Sequence, residues 1–392
     1  MKYQLENNVL TLWLEGRIDS ANAPEVEHEL NALRSANPAG SLVLDCERLD
    51  YISSAGLRII LRAKKAVPDT KLVNVSGDVY EILDMTGFTE MMEIHKAYRV
   101  ISVEGCEVIG QGANGKVYRI DRDTVVKAYL NPDALADIHK ERELARTAFV
   151  LGVPTAIPYD GVRIESGGYG SVFELLNATN FAKLLIRGEK TVDEVAKMSI
   201  DLLKIIHSTE VKPEAMPSMK QVALGWVDYL KSHLPSDQYL KLRALVQAVP
   251  EDNHMMHGDY HIKNITRQGE ENLILDMDTL CHGNPVFELA SMYNAYIGFS
   301  ELDHSITKNF LGIEHETAVE FWKKSLQLYF AGHSEAQIRA NEEKAMLLGY
   351  TRLLRRRLRR GGMETEEGRR EIACYKAHIA ELLGRVDKLA VG

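Results

Sequence analysis

The run His257-Gly258-Asp259-Tyr260-His261-Ile262-Lys263-Asn264 constrains this chain more than any other stretch. It sets a carboxylate, Asp259, and a carboxamide, Asn264, five positions apart. A strand-like segment, Asn272-Leu273-Ile274-Leu275, then ends in a second carboxylate, Asp276. Phosphoryl transfer to a hydroxyl needs this inventory: one carboxylate to meet the attacking hydroxyl, then an amide and a carboxylate to hold magnesium on the phosphates. Asp259 is the expected catalytic base or hydroxyl-orienting group. Asn264 and Asp276 are the expected magnesium ligands, since their oxygens suit a hard cation.

Upstream, Gly110-Gln111-Gly112-Ala113-Asn114-Gly115-Lys116-Val117 satisfies G-x-G-x-x-G-x-V. The glycines alone also fit a dinucleotide site, but there the third glycine opens a helix. Here it leads into Val117-Tyr118-Arg119-Ile120, a turn at Asp121-Arg122-Asp123, and Thr124 to Tyr129 carrying Lys127. A glycine-rich hairpin with a lysine on the next strand is the arrangement that covers nucleotide phosphates. Gly110, Gly112, Asn114 and Gly115 are expected against the phosphates, with Lys127 supplying positive charge. An ordinary hairpin with a snorkelling lysine is the plainer reading; Asp259 downstream decides against it. A helix expected over Pro132 to Val150 offers Glu141 and Glu143 to hold Lys127, and helical phase does not choose between them. Ser171 to Leu176 reads as a hinge strand whose backbone meets the base, so side chains leave ATP and GTP undistinguished.

The first hundred residues alternate strands and helices, the signature of a small α/β domain. Strands are expected at Val9 to Leu14, Ser41 to Asp45 and Lys71 to Val75. Helices are expected from about Asn22 to Leu33, after Ser53 or Ser54, and over Asp78 to Met85.

Two resemblances follow from these residues. Leu42-Val43-Leu44-Asp45, Tyr51-Ile52-Ser53-Ser54-Ala55-Gly56-Leu57 and Leu83-Asp84-Met85-Thr86-Gly87-Phe88 resemble the STAS domain of anti-sigma-factor antagonists. In those proteins a serine at this helix start is phosphorylated to release a partner, and the resemblance makes Ser54 the phosphosite. The aspartate that commonly precedes it is Ser53 here. A phosphate there would meet the free N–H groups and positive dipole end of the helix. From residue 104 to 300, His257-Gly258-Asp259, His261, Asn264, Ile274-Leu275-Asp276 and Asn284-Pro285-Val286-Phe287-Glu288 resemble the aminoglycoside phosphotransferase and choline kinase-like family. That resemblance implies ATP or GTP with Mg2+, a hydroxyl-bearing small-molecule acceptor, and Glu143 as the partner of Lys127. Asp278 is a second carboxylate near the metal site. A metal-hydrolase reading of His254, His257, Asp259 and His261 fails against the rest of the set.

The expected architecture is an α/β STAS domain over 1–98, followed by an α+β bilobal protein-kinase-like domain over 104–392. The latter divides into a β-rich nucleotide-binding lobe (104–178) and a large helical catalytic and acceptor lobe (179–392). Net charge of −9 argues against nucleic acid as partner, and no apolar run approaches the ~20 residues of a membrane helix. Four scattered cysteines and the lack of an apolar leader point to the cytoplasm. A protein partner is expected through the STAS domain. The run Arg352 to Arg360 reads as a solvated helix face paired with Glu364, Glu366 and Glu367, in preference to a site for an anionic substrate or partner.

Overall fold

The computed structural model describes residues 1–112, 114–132 and 134–391. Ala113 of the glycine-rich run and Asp133 of the expected helix start lie outside them. The chain divides into two compact units, Met1–Ser102 and Val103–Gly392.

The first unit is a five-stranded sheet, in the order β1 (Lys2–Glu6), β2 (Val9–Ile18), β3 (Ser41–Ile52), β4 (Asp69–Val75), β5 (Ile94–Lys96). Only β1 runs antiparallel to its neighbour. Helices α1 (Ala23–Ala36), α2 (Ser54–Ala66), α3 (Gly77–Met85) and the single turn α4 (Phe88–Met91) complete it. Strict alternation puts Leu10, Leu12 and Leu14 of β2 in the core, while β3 buries Leu42, Val43 and Leu44 in succession. The third strand runs on past Asp45 to Ile52, so its C-terminal half delivers Ser53 and Ser54 at the sheet's carboxyl end. A short strand β6 (Arg99–Ile101) follows.

The second unit opens with β7 (Glu107–Gln111), β8 (Gly115–Arg119) and β9 (Thr124–Tyr129), then α5 (Leu135–Val150), β10 (Pro158–Ile164) and β11 (Tyr169–Glu174). The five strands form an antiparallel order β10-β11-β9-β8-β7. The α5 helix begins at Leu135 rather than Pro132. The rest is mostly helical: α6 (Phe181–Ile186), α7 (Val192–Ser208), α8 (Met219–Tyr229), α9 (Ser236–Gln247), α10 (Val286–Tyr296), α11 (Ser305–Leu311), α12 (His315–Tyr329), α13 (Glu335–Arg359) and α14 (Glu366–Leu383). Five short strands, β12 (Thr179–Asn180), β13 (Met255–Met256), β14 (Ile265–Gln268), β15 (Glu271–Ile274) and β16 (Cys281–His282), carry the loops of interest. Every residue of α10 is buried, making it the central post of this lobe.

Candidate active site

The loop between β13 and β14 is built around Gly258, whose backbone is left-handed at φ 83°. A Cβ there would stand 2.5 Å from the Thr279 carbonyl, so only glycine fits. The His257 and Gly258 N–H groups donate to the buried carboxylate of Glu288 on α10, at 3.0 and 3.1 Å from Gly258. Burial opposes the charge of Glu288, but His207, 3.9 Å away, and the loop N–H groups outweigh it and hold the carboxyl below its usual range. His257 accepts the Asp259 N–H at Nδ1 (3.3 Å) and donates from Nε2 to the Leu275 carbonyl (2.9 Å). Those two contacts assign its neutral, Nε2-protonated tautomer and a positioning role.

Asp259 itself stays partly open to the cleft, with His261 Nε2 at 3.5 Å from its carboxylate. Burial pushes the Asp259 carboxyl up, but His261, 3.5 Å away, and the charge of Arg352 bring it down to about 2. Asn264 donates from Nδ2 to the Asp259 carbonyl at 3.0 Å, which leaves its Oδ1 as the end available to a cation.

Asp276, two residues past β15, sits in the left-handed region, φ 64° and ψ 69°. This turn aims its carboxylate at Lys127, whose Nζ lies 2.8 Å from Asp276 Oδ1. The same ammonium donates to Glu141 Oε1 and Oε2 at 2.9 and 3.1 Å. Burial works against the Lys127 charge, but Asp276 and Glu141 more than restore it and raise its pKa. The expectation of Glu143 is therefore corrected: Glu141 holds the lysine, and Glu143 is exposed. On α5, Glu141 shares the buried face of Ile138, Leu144, Ala145 and Ala148, while Glu143 points away from it. The Tyr129 hydroxyl also donates to Glu141.

These groups line one cleft of about 590 Å³, together with the glycine run and Phe173 to Leu176 of the hinge. Gly115 is sterically required, since its Cβ would lie 2.4 Å from the Ala128 carbonyl oxygen. Gly112 faces open space, leaving room for a ligand against the loop backbone. Asn114 reaches across to donate to Asp278 at 3.0 Å. Burial and then the charge of Asp276 push the Asp278 carboxyl up to about 6. Two crowded carboxylates and a carboxamide oxygen are an all-oxygen donor set that fits magnesium.

Two residues of this site were not singled out by motif reasoning. Glu288 lay inside a quoted run, but only its burial identifies it as the loop's anchor. Arg352 lay in the arginine block, yet its Nη1 donates to the Gly258 carbonyl (3.3 Å) and Ser291 Oγ (2.8 Å). The block is a solvated face only in part: Arg356, Arg359 and Arg360 are exposed, but among the described residues none of its arginines forms an ion pair with Glu364, Glu366 or Glu367. Arg357 pairs with Glu371, Arg355 lies over Tyr229, and Arg356 lies over Phe299. In the first unit, Ser53 is the cap of α2, accepting the Ala55 N–H at 3.2 Å. Ser54 is the first helical residue and is exposed.

The second unit is a bilobal, protein-kinase-like fold whose cleft gathers a lysine–glutamate pair and the aspartate and asparagine of the loop. The profile described as the phosphotransferase enzyme family matches residues 105–320, and that of the STAS domain matches residues 1–100. The chain belongs to the phosphotransferase enzyme family and carries a STAS domain. Over 92 residues it is 35% identical to BtrV of Bordetella bronchiseptica, named for a suggested anti-sigma factor antagonist role; the match spans 22% of this chain and 78% of that protein. Among solved structures, a thermostable mutant of aminoglycoside phosphotransferase APH(4)-Ia in ternary complex with AMP-PNP and hygromycin B matches at TM-score 0.50 and 12% identity, over 72% of this chain and 94% of that one. A choline/ethanolamine kinase family protein from Mesorhizobium loti matches at 0.46 and 15% identity, over 72% and 89%. At 12% identity the likeness to the aminoglycoside phosphotransferase is one of fold. No helix among the described residues is long and apolar enough to cross a membrane.

Proposed function

We propose that this protein transfers the γ-phosphoryl group of ATP or GTP to a hydroxyl of a small molecule in the cytoplasm, with the STAS domain (1–98) as a regulatory or protein-binding module. The nucleotide-binding lobe is 104–178, and 179–392 supplies the catalytic groups and acceptor pocket. The observation that carries this reading is the convergence of Lys127, Asp259, Asn264 and Asp276 on one cleft roofed by the glycine run. Asp259 orients the acceptor hydroxyl and receives its proton as the new O–P bond forms; a carboxylate held near 2 is a weak base, so orientation is its larger contribution. Lys127, fixed by Glu141, presents positive charge to the phosphates, and the loop backbone from Gly110 to Gly115 packs against them. Asn264 Oδ1 and the Asp276 carboxylate would hold magnesium, which when bound neutralises charge on the phosphates. Labelled phosphate transfer to a panel of hydroxylated metabolites tests the reading, with Asp259→Ala as control.

A second reading draws on Ser54, exposed at the first position of α2, and on the likeness to BtrV. In it the kinase-like domain senses nucleotide or phosphorylates Ser54, switching a protein partner of the STAS domain. Intact mass after incubation with Mg-ATP separates the two. A phosphate on Ser54 without metabolite turnover favours switching; no added mass argues against the Ser54 version.

A further inference from the structure

We infer that the acceptor oriented by Asp259 carries an anionic group, a carboxylate or a phosphate, which binds Arg356 with Arg352 and Arg360 beside it. This rests on the phosphotransferase reading and names its substrate class.

The three arginines follow one another at a spacing of four: Arg352 and Arg356 share a face of α13, and Arg360 is its C-cap residue. Like charges so placed repel. Among the described residues, no carboxylate lies within 4.0 Å of any of the three guanidiniums. Their neighbour Arg357 is different, turned to Glu371 on α14. Guanidiniums without an ion pair keep their planar forks available for a carboxylate or phosphate.

The row is joined to the catalytic carboxylate by a continuous wall. Arg352 is fixed on the Gly258 carbonyl, next in sequence to Asp259, and on Ser291 of the buried α10. From Asp259 the wall passes through His261, whose ring meets Phe310 edge-on at 5.0 Å. Phe310 meets Phe299 at 5.8 Å, and Arg356 Cζ stands 4.6 Å from the Phe299 ring centroid. His261 and Phe310 line the main cleft itself. The aromatic wall offers an apolar surface to the acceptor body, and the exposed Arg356 guanidinium offers a planar fork to its far end. Beside Asp259, which is assigned to the hydroxyl, the pocket next to Phe299 carries Asp303, Glu367 and Glu371, with Glu371 engaged by Arg357 and Arg370 also in the lining. A cationic group placed against the arginine row itself would be repelled, which disfavours amino sugars and amino alcohols at that end.

The test uses the full chain with Mg-ATP and matched hydroxylated acceptors: acids, phosphates, neutral polyols and amino alcohols. The acidic or phosphorylated acceptors should have the highest kcat/KM. Arg356→Gln should raise their KM by about tenfold or more with little change in kcat or in KM for ATP, as expected for loss of a bidentate anion contact. Arg356→Lys should recover part of that loss. The relative response of carboxylates and phosphates identifies the anion. Independently, inorganic sulfate at constant ionic strength should raise the melting temperature of the wild type more than that of Arg356→Gln. Best turnover of cationic or neutral acceptors, or equal KM and equal sulfate response in wild type and Arg356→Gln, overturns the inference. No turnover of any acceptor, with the sulfate difference retained, overturns the phosphotransferase reading instead and leaves the anion site standing.

Discussion

Lys127 Nζ lies 2.8 Å from Asp276 and 2.9 Å from Glu141, so one ammonium ties β9, the α5 helix and the turn after β15 together. The Glu141 contact is buried, with only 3% of that side chain exposed, whereas Asp276 opens to the cleft. In the proposed function Asp276 is therefore the arm free to serve a cation, and Glu141 the arm that keeps Lys127 in place.

Glu141→Gln should lower kcat/KM for nucleotide by about 10²-fold, the cost of misplacing a charged group at a reacting centre. Glu143→Gln should stay close to wild type, because Glu143 is exposed. Steady-state kinetics on both variants checks this; a larger loss in Glu143→Gln would contradict the assignment.

The two inner glycines should behave in opposite ways. Gly115→Ala forces a Cβ against the Ala128 carbonyl and should destabilise the nucleotide-binding lobe by about 1–3 kcal/mol. Gly112→Ala meets open space, so it should fold normally and weaken nucleotide binding alone. Denaturant titration and nucleotide titration, run on both, separate the effects.

Glu288→Ala removes the acceptor of two buried loop N–H groups and the partner of His207. Leaving a buried donor without its acceptor costs roughly 1–3 kcal/mol, more where the acceptor was charged. The expected outcome is that cost in chemical denaturation, accompanied by loss of activity in the fraction that stays folded. A variant as stable as wild type would mean that the loop is anchored elsewhere.

Asp259 sets a pH signature. Its folded carboxyl is brought down to about 2, below the unfolded value of about 3.9. A depressed carboxyl adds stability that is fully present above the unfolded value and is lost as pH falls through the folded one. The stability gap between wild type and Asp259→Asn should therefore be constant from pH 5 to 7 and narrow between about pH 4 and 2. Unfolding midpoints across that range check it; a gap that widens towards acid would contradict it.

The order of motifs carried most of the fold. G-x-G-x-x-G-x-V leading into a strand, a lysine on the next strand, and Asp259, Asn264 and Asp276 in succession specify a bilobal arrangement because each needs its own element. Glu141 and Glu143 are not separable from the sequence, because either fits a helix of that length; the buried stripe of Ile138, Leu144, Ala145 and Ala148 that α5 turns inward selects Glu141. Glu288 and the arginine row were less accessible. Their partners, the His257 and Gly258 amides, Ser291 and Phe299, come from distant segments, and a charge run in a sequence looks the same whether it faces water or a catalytic loop.

The central claim is that Asp259 serves phosphoryl transfer to a hydroxyl. The most direct measurement is transfer of label from γ-labelled ATP with magnesium to hydroxylated small molecules, comparing the full-length wild type with Asp259→Ala. The account predicts labelled product with the wild type and a loss of roughly 10²–10⁴-fold in the variant. Equal, low turnover in both would contradict it.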